Sequence, residues 1–198
     1  MSENFPENYH AATRIFLIWK EGLENIPEFK QEIEYFRDLL ENPQEITYDL
    51  FFCEYTYVVI NSGWKQQIAK KFHDKFMESR DPSILVKHPL KYPALVKANL
   101  ESQIWFNRFN SSSDKVEYLR TLPMMGGEAL GYHLARNFGY DCVKPDRWLK
   151  RLAKKFGFKT PLEMCERVRH DIGDSEMLGV IDVIFWRGAN LGFGDKIL

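Results

Sequence analysis

Apolar side chains recur at every third or fourth position along almost the whole chain, and that period commits the backbone to helices. Tyr9, Ala12, Phe16 and Trp19 fall on one face of a first helix that Gly22 is expected to end. Pro27 opens a second, with Phe29, Ile33, Phe36 and Leu40 inward and Asn42-Pro43 as its stop. Thr47 can cap a third that runs to about Ile60, and its stretch from Phe51 to Ile60 is almost wholly apolar, which predicts a buried central helix. The β-branched end of that stretch would also suit a strand, but no nearby segment alternates with period two to pair with it. Asn61-Ser62-Gly63 breaks the pattern, and Ile68, Phe72 and Phe76 resume it.

Pro82, Pro89 and Pro93 mark residues 81–93 as a loop with short helical turns, after which helical spacing returns from Leu95 to Phe109. A polar link at Asn110 to Ser113 leads to a short helix over Val116 to Thr121, a turn over Leu122 to Gly127, and a helix from about Glu128 to Phe138 that Gly139 ends. A basic helix starts near Asp146 and ends at Gly157. Thr160-Pro161-Leu162-Glu163 reads as a capping box with proline at the first helical position. A last helix is expected over Ser175 to Arg187, burying Leu178, Ile181 and Phe185. The predicted class is all-α.

A chain of 198 residues, 44% of them hydrophobic, can build one core or two small lobes sharing a cleft. No apolar stretch is long enough to cross a bilayer, and Met1 to Pro6 lack the grading of a signal peptide, so an intracellular protein with no membrane partner is expected. Cys53, Cys142 and Cys165 are odd in number and far apart, which fits neither a disulfide framework nor a thiolate metal site. Net charge is −1, but it is unevenly spread: residues 1–50 hold eleven acids and four bases. Lys144 to Lys159 holds seven bases against the single acid Asp146. Such a run is either a solvated face or a phosphate-binding one, and its neighbours decide which.

Those neighbours are informative. Leu122-Pro123-Met124-Met125-Gly126-Gly127 joins two short helices, and glycines there allow the backbone to approach a phosphate, which exposed amides at a helix start then bind without reading sequence. Nineteen residues after Gly127 comes Asp146, preceded by Lys144-Pro145, with Pro145 expected in the first helical turn. This stretch of about 30 residues resembles the helix-hairpin-helix DNA glycosylases, in which a Leu-Pro-Gly-(Val/Ile)-Gly hairpin is followed at a nearly fixed distance by a catalytic aspartate. In that family an aliphatic residue stands three positions after the aspartate and often an arginine five positions after it; Leu149 and Arg151 fill these places. Met124 departs from the pattern where the hairpin's first glycine would stand, and Glu128 where strand-cleaving members carry a Schiff-base lysine.

The resemblance implies a two-lobed fold with the active site in the cleft, one lobe of about residues 46–140 and the other of about 1–45 with 141–198. It implies a monomeric, monofunctional glycosylase acting on double-stranded DNA, with Asp146 as the catalytic carboxylate. Pro123, Met125, Gly126, Gly127, Lys144, Lys150 and Lys154 are then the expected DNA contacts. Trp64, Glu128 and Trp186 are candidates for the base pocket or the wedge that fills the gap in the duplex, although a tryptophan at such a place also suits a core and Glu128 also suits a cap. No cofactor or metal is needed for the chemistry; a cation between the hairpin carbonyls and a phosphate would be structural. Arg151 is an alternative buried ion-pair partner, and Lys144 an alternative amine nucleophile for a glycosylase that also cuts the strand. Two other classes stay open: a non-catalytic helix-hairpin-helix module for distorted DNA, and a helical protein-interaction domain that uses the acidic first 50 residues.

Overall fold

The computed structural model describes the backbone of residues 7–193 and the side chains of residues 10–193. Met1 to Pro6 and the side chain of Tyr9 lie outside the described residues. The chain is all-α, about 71% helical, with no strand among the described residues. The helices are α1 (Glu7–Glu24), α2 (Pro27–Glu41), α3 (Tyr48–Asn61), α4 (Gln66–Ser79), α5 (Lys91–Ser111), α6 (Lys115–Arg120), α7 (Leu130–Asn137), α8 (Arg147–Lys155), α9 (Pro161–Asp171) and α10 (Leu178–Asn190). A 3-10 turn at Pro82–Leu85 precedes α5. The chain divides into two compact units, residues 1–43 with 139–198 and residues 44–138.

The first unit is built around α10, whose inner face packs on α1, α2, α8 and α9. Phe185 meets Phe16 and Trp19 at ring distances of 5.7 and 6.1 Å, and Gly188 is bare because any Cβ there would enter the Trp19 ring. Each fully buried aromatic of this kind contributes about 2–3 kcal/mol. Around the core, Glu176 accepts hydrogen bonds from Arg37 (2.8 and 3.1 Å) and Lys20 (3.0 Å), and Arg187 grips Glu32 with two of its nitrogens.

In the second unit α3 is central, as its apolar run predicts: Phe51, Phe52, Tyr55, Val58, Val59 and Ile60 are buried against α4, α5 and α7. Phe51 stacks on Phe138 and touches Phe109, which joins the start of α3 to the ends of α5 and α7. The Thr47 hydroxyl accepts from the Leu50 amide at 3.3 Å, the predicted cap.

Several boundaries differ from expectation for identifiable reasons. Gly22 does not end α1, which runs on to Glu24; its missing side chain instead makes room for Phe193, whose ring would lie 3.2 Å from a Cβ. Pro93 lies inside the first turn of α5, where the amide it lacks has no carbonyl to bond. Ile68 is 49% exposed, and Ala69 and His73 take the inward positions of α4 beside Phe76. The last helix starts at Leu178 and reaches Asn190 rather than spanning 175–187, because the Asp141 carboxylate takes the Gly179 amide at 2.7 Å and fixes its beginning.

Candidate functional site

The predicted hairpin exists. Asp114 caps α6 by accepting from Glu117, and the chain then turns over residues 121–129 before α7. Buried Leu122 and Met125 pin the turn from inside, with the Met125 amide donating to the Leu122 carbonyl at 2.9 Å. Tyr55 reaches from α3 to donate its hydroxyl to the Pro123 carbonyl at 3.0 Å; burial raises its pKa, which keeps it a neutral donor. Met124 has φ of +65°, so it keeps the left-handed backbone that favours glycine despite its side chain. Gly131, the second residue of α7, is bare because a Cβ would press on Arg120 and on the Met125 carbonyl at 3.0 Å.

Gly126 and Gly127 are different. Both are exposed, neither has a positive φ, and a Cβ on Gly127 would meet nothing within 4 Å. Among the described residues no hydrogen bond uses the amide of either. Fold alone therefore does not demand glycine at 127, and the two amides are open to an external acceptor. Met125 does not belong with them: its side chain is fully buried and its amide is spent within the turn, so it supports the hairpin from behind. Glu128 is exposed and precedes Ala129, the residue that caps α7, so it is outside the first helical turn where it was expected.

In the other unit, Asp146 is the N-cap of α8. Its Oδ1 accepts from the amides of Trp148 (2.8 Å) and Leu149 (3.1 Å), while Oδ2 makes no hydrogen bond among the described residues. Pro145 therefore stands one place before the cap and not in the first turn: the Asp146 backbone is extended, with ψ of 177°, and its carboxylate takes the first free amides itself. The approach to the cap is tethered. Buried Asp182 on α10 accepts from the Lys144 amide at 2.7 Å, and the Asp146 amide donates to the Lys144 carbonyl at 2.7 Å. At the far end Gly157, with φ of +82°, closes α8 by paired bonds from Gly157 to Lys154 and from Phe158 to Ala153.

Leu149, Leu152 and Ala153 turn α8 inward, leaving Lys150, Arg151, Lys154 and Lys155 exposed. Arg151 is thus not a buried ion-pair partner; its guanidinium lies over the Trp148 ring at 5.3 Å, a contact that needs no burial. Lys154 and Lys155 in the last turn also suit the helix dipole.

The two tryptophans belong to different units. Trp186 is half-buried against the core around α10, with Arg187 4.6 Å from its ring centre. Trp64 is half-buried between Phe72 and His88, and the ammonium of buried Lys91 sits 3.7 Å over its ring while donating to the Ile60 carbonyl at 2.8 Å. Burial pushes the Lys91 pKa down to about 8. A shallow groove of about 410 Å³ runs beside Trp64, lined by Phe72, Leu85, Val86 and His88.

Three polar residues of these surroundings, Lys91, Asp182 and Glu54, were not singled out from the sequence. Glu54 lies half-buried on α3, where burial raises its pKa against the opposing effect of one hydrogen bond, donated by Asn137 of α7 at 2.8 Å. Its signal was available: a lone acid within an apolar run. Among the described residues no group of three or more His, Cys, Asp or Glu is arranged to hold a metal ion, and no helix is long and apolar enough to cross a membrane. No protein-family model matches the chain, and no curated protein or solved structure matches it significantly.

Proposed function

We propose that this chain is a DNA glycosylase of the helix-hairpin-helix kind, which extrudes a damaged or modified base and hydrolyses its N-glycosidic bond. The observation that carries the reading is the pair of exposed, unbonded amides at Gly126 and Gly127, followed at the family's spacing by a carboxylate fixed at the start of a basic helix. In this reading the two compact units are the two lobes of such an enzyme. The hairpin amides and the ammonium groups of Lys150 and Lys154 take phosphates of the duplex, and Lys144 takes another beside the aspartate.

The bond to be broken is inaccessible in stacked DNA, so the nucleotide must leave the helix. As the bond between C1′ and the base nitrogen breaks, the electron pair departs with the base and positive charge grows on the sugar. Asp146 faces that charge. Oδ1 is held by two amides, which orients the group, and Oδ2 is left to stabilise the cation and take the proton of the water that attacks C1′. With a carboxylate at 128 in place of an amine, the product is an intact strand bearing an abasic site.

Asp146's cap is equally what a non-catalytic module for distorted DNA would use, and base release separates the two readings. Duplexes carrying single alkylated, oxidised or mismatched bases are incubated with the protein and run with and without alkaline treatment. Cutting only after alkali supports the proposal. Cutting without alkali, with a borohydride-trapped adduct lost in Lys144→Ala, would make Lys144 an amine nucleophile, and absence of base release from every duplex would leave only DNA binding.

A further inference from the structure

The second unit carries an apolar recess that its own fold leaves uncovered. Trp64, Phe72, Ile84, Leu85 and Val86 line the shallow groove of about 410 Å³, and no Asp or Glu is among the residues lining it. Val86 is 58% exposed and Leu90, just past the groove, 63%; Ile68, one turn before Phe72 on α4, is exposed as well. Single apolar residues at a surface mean little, but these gather around one concavity. The walls are fixed by bonds of their own. Lys91 holds the Trp64 ring at 3.7 Å and the end of α3 through the Ile60 carbonyl at 2.8 Å, while Phe72 meets the indole edge-on at 5.0 Å. On the other wall His88 Nδ1 accepts from the Lys91 amide at 3.2 Å. A recess held in this way spends little on ordering when it is filled. Every residue concerned lies within residues 44–138, so nothing of the other unit is needed.

The rim is basic. Lys71 and Lys75 stand three positions after Ile68 and Phe72 on α4, and Lys87 follows Val86; all three are exposed. Among the described residues none of the three has a carboxylate partner, whereas Lys70, turned to the opposite side of α4, pairs with Asp74 at 2.9 Å. We propose that this groove docks an acidic amphipathic helix of a partner protein, its apolar face against Trp64, Phe72 and Val86 and its carboxylates among Lys71, Lys75 and Lys87. A shallow recess takes side chains projecting from one helix face rather than enclosing a small molecule. No strand lies among the described residues, so an extended peptide has no sheet edge to join. A nucleic-acid backbone would use the lysines but gain nothing from the apolar floor. Charge match at the rim selects the partner, and burial of its apolar anchors holds it. The inference is independent of the glycosylase reading, and it gives Trp64 a place in a protein-binding wall instead of a base pocket.

The probe is a synthetic helix of about 18 residues, long enough to hold helical structure, with leucines along one face and glutamates on the other. Matched controls carry glutamine or lysine in place of glutamate. Each is titrated into the full chain while amide NMR shifts and tryptophan fluorescence are followed. The glutamate helix should bind saturably, with shifts clustered at residues 64–90; the glutamine form should bind about 3- to 10-fold more weakly and the lysine form not at all. Val86→Asp, at an exposed position, should melt with the wild type yet lose at least about 10-fold in affinity. Lys71→Glu combined with Lys87→Glu should reverse the preference, so that the lysine helix binds better than the glutamate one. No saturable binding of the glutamate helix, equal affinity for the glutamate and lysine forms, shifts elsewhere, or undiminished binding in Val86→Asp overturns the proposal. Shifts at the same residues with a short DNA duplex, weakened by Val86→Asp and absent with the glutamate helix, assign the patch to nucleic acid and overturn it as well.

Discussion

Met124 holds a backbone conformation that costs an ordinary side chain about 1–2 kcal/mol, and it does so at the centre of the proposed anchor. The turn keeps this geometry because both neighbours hold it: Pro123 through the Tyr55 hydroxyl and Met125 through complete burial. Met124→Gly removes the strain but loosens the unfolded chain, so a net gain of up to about 1 kcal/mol is expected. Urea unfolding measures it, and a loss of stability would mean that the methionine side chain contributes more than its backbone costs. This residue also marks what was legible in sequence. The departure from glycine was plain, whereas the survival of the left-handed turn was not, since it depends on Tyr55 some seventy positions away. Trp64 is a similar case: its place at a helix junction could be read, but the ammonium over its ring comes from Lys91, beyond α4 and the 3-10 turn. Local signals fared better: Thr160 caps α9 by accepting from the Glu163 amide at 3.1 Å, although the Glu163 carboxylate reaches back to the Lys159 amide at 2.8 Å, one residue before the Thr160 amide that the predicted capping box would use.

Among the elements, the hairpin and α8 make separable contributions. Because a Cβ at Gly127 meets nothing within 4 Å, Gly127→Val should fold with an unaltered melting temperature. Its methyl groups would nevertheless stand between the amides and an approaching phosphate, so duplex affinity should fall at least about 10-fold, the loss of one to two charge-assisted bonds. Fluorescence anisotropy with a labelled duplex reads this; affinity equal to the wild type would remove the hairpin from the DNA contact. Lys154 tests α8 in another way. Replacing it with alanine should weaken binding to all sequences alike and lower the slope of log affinity against log salt by about one unit. An unchanged slope would return the helix to a solvated face. The sequence placed the start of α8 near Asp146 and its end at Gly157, both close to what is observed, but it put Pro145 in the first turn, where the Asp146 cap excludes it. Gly22, taken as a stop signal, misplaced the end of α1, because it serves packing there and not termination.

At the scale of the molecule, the all-α class followed from periodicity alone, while the ion pairs that tie distant segments did not. Glu176 illustrates their consequence. Burial by itself would raise its pKa, but hydrogen bonds from Arg37 and Lys20 outweigh this and lower it. Asp171, bonded by Thr13 and Arg167, is lowered in the same way against its own desolvation. Both bind protons more weakly folded than unfolded, so their stabilisation is complete above the ordinary carboxylate range and is lost as pH falls through their folded pKa values. The melting temperature should therefore drop between about pH 5 and pH 3, the region where carboxylates titrate. In Glu176→Gln the drop should be shallower, and an identical profile would show that the Glu176 cluster does not contribute.

The central claim is that Asp146 performs chemistry as well as capping α8, and Asp146→Asn separates the two because its side-chain oxygen can still accept from the Trp148 and Leu149 amides. The measurement is single-turnover base release from the lesion duplex that the wild type processes fastest, with duplex affinity measured in parallel. A carboxylate that balances charge formed in the transition state predicts a fall of about 10²–10³ in rate with affinity within a few-fold of the wild type. A variant that keeps more than about a tenth of the rate, far above the loss that such a contact carries, would contradict the assignment and leave Asp146 a helix cap.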